Sequence, residues 1–86
     1  MWIRLADHKI VGRVLVDVRQ RAGVSQDELA ARLGKPQSFV SNYERAQRRL
    51  DVLEFIRIVE ALGGDPRRVF GELRRRCTTG AMTNVK

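Results

Sequence analysis

Apolar residues at Val11, Val14, Leu15, Val18 and Ala22 follow the i, i+3, i+4, i+7, i+11 spacing of one helical face, and Gly23 supplies a stop. Gly12 lies inside this stretch and costs about 1 kcal/mol relative to Ala, so it either permits a close helix contact or is simply tolerated. A second helix opens at Ser25 and Glu28, spaced as a capping box, with Val24 and Leu29 as the accompanying staple. Leu29, Ala30 and Leu33 form its apolar stripe, and Gly34 suits the left-handed residue that ends a helix. Pro36 then fits the start of a third helix, where a missing backbone donor costs nothing.

The remaining pattern predicts two more helices. Asp51 with Glu54 forms a second acidic capping box, and Phe55, Ile56, Val59 and Leu62 make the core face of a fourth helix ending at Gly63-Gly64. Asp65-Pro66 starts a fifth, with Val69, Phe70 and Leu73 inward. Five short helices and no credible strand give an all-α fold. The expected organisation is an N-terminal arm at 1–8, a helical domain at 9–76 and a C-terminal tail at 77–86.

The third helix carries the functional signal. Val40 and Tyr43 lie three apart and face inward, whereas Ser38, Ser41, Asn42 and Arg45 fall on one outward face, joined by Gln37 one turn before Ser41. That face is polar and almost free of negative charge. Gln and Asn amides pair bidentately with an adenine edge, Ser bonds several base edges, and Arg suits guanine or phosphate. A solvated helix surface could carry the same residue types, but it does not need a capped helix before it, a tight turn and the basic run Arg45, Arg48, Arg49 after it.

With these residues in place, the chain resembles the lambda-repressor, Cro and Xre type of helix-turn-helix domain over roughly Lys9 to Leu73. Gln26 resembles the family glutamine that bonds a phosphate and braces the recognition helix. Arg19, seven residues before Gln26, and Glu44, eighteen after it, have the spacing of a family ion pair tying the first helix to the end of the third. The resemblance implies a compact five-helix DNA-binding domain. Gln37, Ser38, Ser41 and Asn42 would occupy base-facing positions, and Gln26, Arg45, Arg48 and Arg49 would lie on phosphates. Many relatives carry Gly after the third helix, where this chain has Ala46. A left-handed Ala costs on the order of 1 kcal/mol, so the helix is expected to run on or to end differently.

Composition agrees with this picture. Eighty-six residues allow one domain, and a chain of this size buries only roughly 60 to 65% of its unfolded surface, so a dimer or a regular helical core would help. Seventeen basic against ten acidic residues give a net charge of +7, which concentrates a protein on polyanions without distinguishing DNA, RNA or an anionic membrane. The single Cys77 excludes an intrachain disulfide and a cysteine zinc site. The lack of a signal peptide or long apolar run points to a cytoplasmic protein.

Other features read mainly as structural. Arg74, Arg75 and Arg76 fit either phosphate contacts or a complement to the helix C-terminal dipole that needs no nucleic acid, and the second is the better reading. Cys77 after these cations fits a redox-sensing thiol, but an incidental exposed thiol is the simpler reading. Trp2, Ile3 and Leu5 fit either a cap over the core edge or a dimer contact, and Phe70 and Leu73 raise the same question. His8 has no partner at ligand spacing. One His, one Cys and no glycine-rich phosphate loop leave no catalytic constellation, and no cofactor is expected.

The sequence therefore points to sequence-specific duplex DNA binding and transcriptional regulation, with repression by a homodimer on a palindromic operator as the leading form. An antitoxin gripping a toxin, or the controller of a restriction system, competes within DNA binding. A protein-bridging or RNA-binding module competes from outside it, although such a face should carry more apolar anchors than Gln37 to Asn42 supply.

Overall fold

The computed structural model describes residue 3 and residues 7–78. Five helices follow in order: α1 His8–Arg21, α2 Gln26–Leu33, α3 Gln37–Glu44, α4 Val52–Ala61 and α5 Pro66–Thr78. Both acidic capping boxes form. Ser25 and Glu28 satisfy each other's backbone N–H at the start of α2, and Asp51 and Glu54 do the same for α4. Helix α5 runs two residues past the expected domain edge. Trp2 and Leu5 of the N-terminal cluster, and 79–86 of the expected tail, lie outside the described residues.

The core is one apolar cluster to which every helix contributes. Val14, Leu15 and Val18 of α1 meet Leu29 and Ala30 of α2, Val40 and Tyr43 of α3, Phe55, Ile58 and Val59 of α4, and Val69 of α5. Three expectations need correction. Ala22 is exposed, because the chain is already turning out of α1 there. Ile58 replaces Ile56 in the fully buried set, with Ile56 only half-buried. Phe70 points outward at 57% exposure, because Val69, one residue earlier, holds the inward position on α5.

Gly12 turns out to be a contact residue. A Cβ placed there would stand 2.7 Å from the Glu44 carbonyl oxygen and 2.8 Å from that of Tyr43, so the backbones of α1 and α3 approach as closely as glycine allows. At the far end of the fold, Arg76 donates to Asp17 at 2.7 Å and to Glu72 at 2.6 Å, tying α5 back to α1.

Four helices end in the same way. In α1, α2, α3 and α4 the bond pairs Val24 to Arg19 and Gly23 to Gln20, Lys35 to Ala30 and Gly34 to Ala31, Gln47 to Asn42 and Ala46 to Tyr43, and Gly64 to Val59 and Gly63 to Glu60 are Schellman closures. The left-handed residue is Gly23, Gly34 and Gly63 in three of them, but Ala46 at φ 61° in α3. The expected extension or different ending of α3 is therefore overturned: the helix stops at Glu44, and Ala takes the glycine conformation. Two closing hydrogen bonds, with Gln47 to Asn42 at 2.8 Å, hold it there. The left-handed state costs a Cβ-bearing residue about 1 to 2 kcal/mol, partly offset by about 0.4 to 1 kcal/mol from the less flexible unfolded chain. Ala46→Gly should therefore raise stability by a net of about 0.5 to 1 kcal/mol, seen as a higher urea midpoint at unchanged m. A midpoint at or below that of the parent would show that the turn carries no strain.

Candidate nucleic-acid interface

The chain places a short polar helix on a rigid base. Gly34 leaves α2 in the left-handed conformation at φ 67°, and Pro36 caps α3 in extended geometry, so the two helices are joined by a tight turn. Val40 and Tyr43 sink α3 into the core. Phe39 packs edge-on against Tyr43 with ring centroids 5.6 Å apart and planes at 70°. On the opposite side, Gln37 and Ser38 are exposed and Ser41 and Asn42 half-buried, in an edge with no carboxylate. Arg45 follows it exposed, donating weakly to the Asn42 side-chain oxygen at 3.4 Å.

Behind that edge lies a chain of side-chain bonds that begins in α1. Arg19 donates through Nε to Glu44 at 2.8 Å and through Nη2 at 3.1 Å, and its Nη1 reaches the Val24 carbonyl at 2.9 Å. The pair is largely withdrawn from water, with 12% of the Arg19 side chain and 4% of that of Glu44 exposed. The hydrogen bond to Glu44 raises the Arg19 pKa above its ordinary value. Gln26 adds its amide N–H to Glu44 at 2.7 Å, and its own oxygen accepts from Gln37 at 2.7 Å. Arg19, Glu44, Gln26 and Gln37 thus form one continuous path from the core to the first residue of α3. The Tyr43 hydroxyl beside it is buried with no hydrogen-bond partner among the described residues, and burial pushes its pKa up.

The basic loop after α3 is divided. Arg49 is exposed. Arg48, also expected on phosphate, is exposed as well but already paired: its guanidinium meets both oxygens of Glu54 at 3.0 and 2.9 Å, donates to the Arg49 carbonyl at 2.8 Å, and stacks 4.7 Å from the Phe39 ring centroid. Lys35 approaches the same ring at 5.6 Å. Phe39, Lys35 and the second role of Glu54 escaped the sequence reading. The only local signal was the spacing of Glu54 to Asp51, which announces a cap and not a clamp on Arg48.

Comparison with known proteins agrees with this geometry. The helix-turn-helix family matches residues 15–69, more than half of the chain and a span containing all of α2 and α3. The chain belongs to the Cro/C1 and XRE type of helix-turn-helix proteins. This XRE-type protein is a DNA-binding transcriptional regulator, in a family of regulators rather than enzymes. It is 34% identical over 55 residues to the uncharacterized HTH-type transcriptional regulator y4dJ of Sinorhizobium fredii, covering 64% of this chain and 71% of that one. Among solved structures it is similar to an XRE-family like protein from Pseudomonas syringae, with 45% identity and a TM-score of 0.75 over 83% of this chain and 87% of that one. It is also similar to the restriction-modification controller protein C.AhdI from Aeromonas hydrophila, with 34% identity and a TM-score of 0.69 over 76% and 98% of the two chains. The clp gene regulator ClgR of Corynebacterium glutamicum, at 22% identity, shares the fold with a TM-score of 0.77 over 90% and 82%. No helix of the XRE-type domain, among the described residues, is long and apolar enough to cross a membrane.

Proposed function

We propose that this regulator binds a specific duplex operator as a homodimer, with α3 in the major groove and repression as the outcome when the operator overlaps a promoter. The observation that carries the reading is the outward edge of α3: four hydrogen-bonding side chains and no acid, on a helix anchored by buried Val40, Tyr43 and Glu44. Gln37, Ser38, Ser41 and Asn42 are the proposed base readers. Gln26, Arg45 and Arg49 set register on phosphates.

The two-fold part of the proposal is supported by an apolar face on α4 and α5. Val52 and Phe70 are 73% and 57% exposed. Phe70 stands between two shallow hollows, one of about 320 Å³ beside Phe55, Ile56 and Pro66, the other of about 150 Å³ beside Val11, Leu50 and Leu73. A projecting ring next to hollows on one surface can pair with its own copy about a two-fold axis. A restriction-system controller is the second reading, favoured by similarity that spans 98% of the C.AhdI chain.

Selection of sites from a random duplex pool tests the proposal. A palindromic consensus is expected, and Asn42→Ala should weaken binding to it by about 1 to 3 kcal/mol while leaving random duplex binding unchanged. A consensus with one unrepeated half-site would remove the homodimer. Equal loss on all sequences would remove Asn42 from the readers.

A further inference from the structure

We infer that Glu54 acts as a built-in competitor for DNA phosphate at Arg48, so that this arginine is withheld from the backbone and the regulator's nonspecific affinity is held down. The inference rests on the DNA-binding reading above. The basic loop lies directly after the reading helix, where a cation adds to affinity on every sequence equally. Arg48 is placed there, yet its fork is already filled in the way a phosphate would fill it: two guanidinium nitrogens face two carboxylate oxygens at 3.0 and 2.9 Å, the bidentate geometry common to carboxylate and phosphate recognition.

Although Arg48 is exposed and Glu54 partly so, both partners have further contacts that favour this arrangement. Arg48 is kept in place by the Phe39 ring at 4.7 Å and the Arg49 carbonyl at 2.8 Å. Glu54 is kept in place by the α4 cap, its Oε1 accepting the Asp51 N–H at 3.0 Å. Arg48 and that backbone bond together hold the Glu54 carboxyl below its usual range, so the competitor stays charged at neutral pH. The pair contributes no net charge to the surface that meets DNA, although the loop reads as two cations in the sequence.

Glu54→Gln tests the mechanism with little disturbance, since Gln also completes a capping box. The measurement is the slope of log Kobs against log salt on a random duplex, for the parent protein, Arg48→Ala, Glu54→Gln and the double variant. Arg48→Ala alone uncovers the Glu54 charge, so the double variant, which removes both charges, is the reference for a missing guanidinium. Glu54→Gln should steepen the slope by about 0.9, the value of one added phosphate contact, and the double variant should return to the parent slope. A double variant with a flatter slope than the parent would show that the guanidinium already leaves Glu54 for a phosphate, overturning the inference. So would an unchanged slope in Glu54→Gln, or a steepening that survives in the double variant. A parent protein that binds no duplex at any salt concentration overturns the DNA-binding reading as well, whereas normal parent binding with an unmoved Glu54→Gln slope overturns the competition alone.

Discussion

Glu44→Ala is expected to destabilise the domain by about 1.5 to 3 kcal/mol, the cost of losing charged hydrogen bonds in a partly buried ion pair. The Arg19 guanidinium would keep only the Val24 carbonyl at 2.9 Å, in a position where 12% of its side chain reaches solvent. Gln26 would lose the acceptor that fixes its amide. Urea unfolding of Glu44→Ala, Arg19→Ala and the double variant measures the coupling, which for residues in direct contact is about 0.5 to 3 kcal/mol; additive losses would reject the brace.

Replacing both members by apolar residues, as in Arg19→Met with Glu44→Leu, separates stability from function. Such swaps are often neutral or stabilising, so the fold should survive. Binding to the selected operator should nevertheless weaken, because Gln26 and Gln37 would have lost their anchor. Full operator affinity in that variant would mean that the path from Arg19 to Gln37 has no part in reading.

Gly12→Ala and Gly71→Ala, the same change in two helices, should shift stability in opposite directions. At Gly12 the new methyl would meet the Tyr43 and Glu44 carbonyl oxygens at 2.8 and 2.7 Å. These are backbone atoms at the closure of α3, where the Tyr43 oxygen already accepts from Ala46, and they cannot rotate aside. Overpacking costs about 1 to 3 kcal/mol, which outweighs the roughly 1 kcal/mol gained in helix propensity. At Gly71 the nearest atom is the flexible end of Arg75 at 3.9 Å, so the propensity gain of about 1 kcal/mol stands alone. Thermal or urea unfolding reads both, and a stabilised Gly12→Ala would refute the close approach of α1 and α3.

These cases show what kind of information the chain displays openly. The capping boxes at Ser25 and Asp51 are local devices whose two partners lie three residues apart, so the sequence exposes them whole. The Arg19 and Glu44 spacing became legible through family resemblance, because nothing in the local pattern relates residues 25 positions apart. Gly12 was ambiguous because the atoms that require it belong to another helix. Phe70 was misplaced because helical periodicity gives a face only to within about one residue, and which of Val69 and Phe70 turns inward depends on where α4 and α1 stand. The pairing of Arg48 was not legible because its carboxylate lies across a loop, and the ending of α3 at Ala46 because intrinsic preference yielded to two closing hydrogen bonds.

The bond from Gln37 to Gln26 at 2.7 Å bears on the thermodynamics of recognition. Freezing a glutamine side chain costs up to about 1.5 to 2 kcal/mol in rotamer freedom, and here much of that restriction is already in force before DNA arrives. One amide hydrogen of Gln37 is taken up by Gln26, which leaves the second hydrogen and the oxygen lone pairs as its remaining bonding capacity. In the proposed role of base reader, a side chain so restrained would meet DNA with a smaller entropic penalty than a free one.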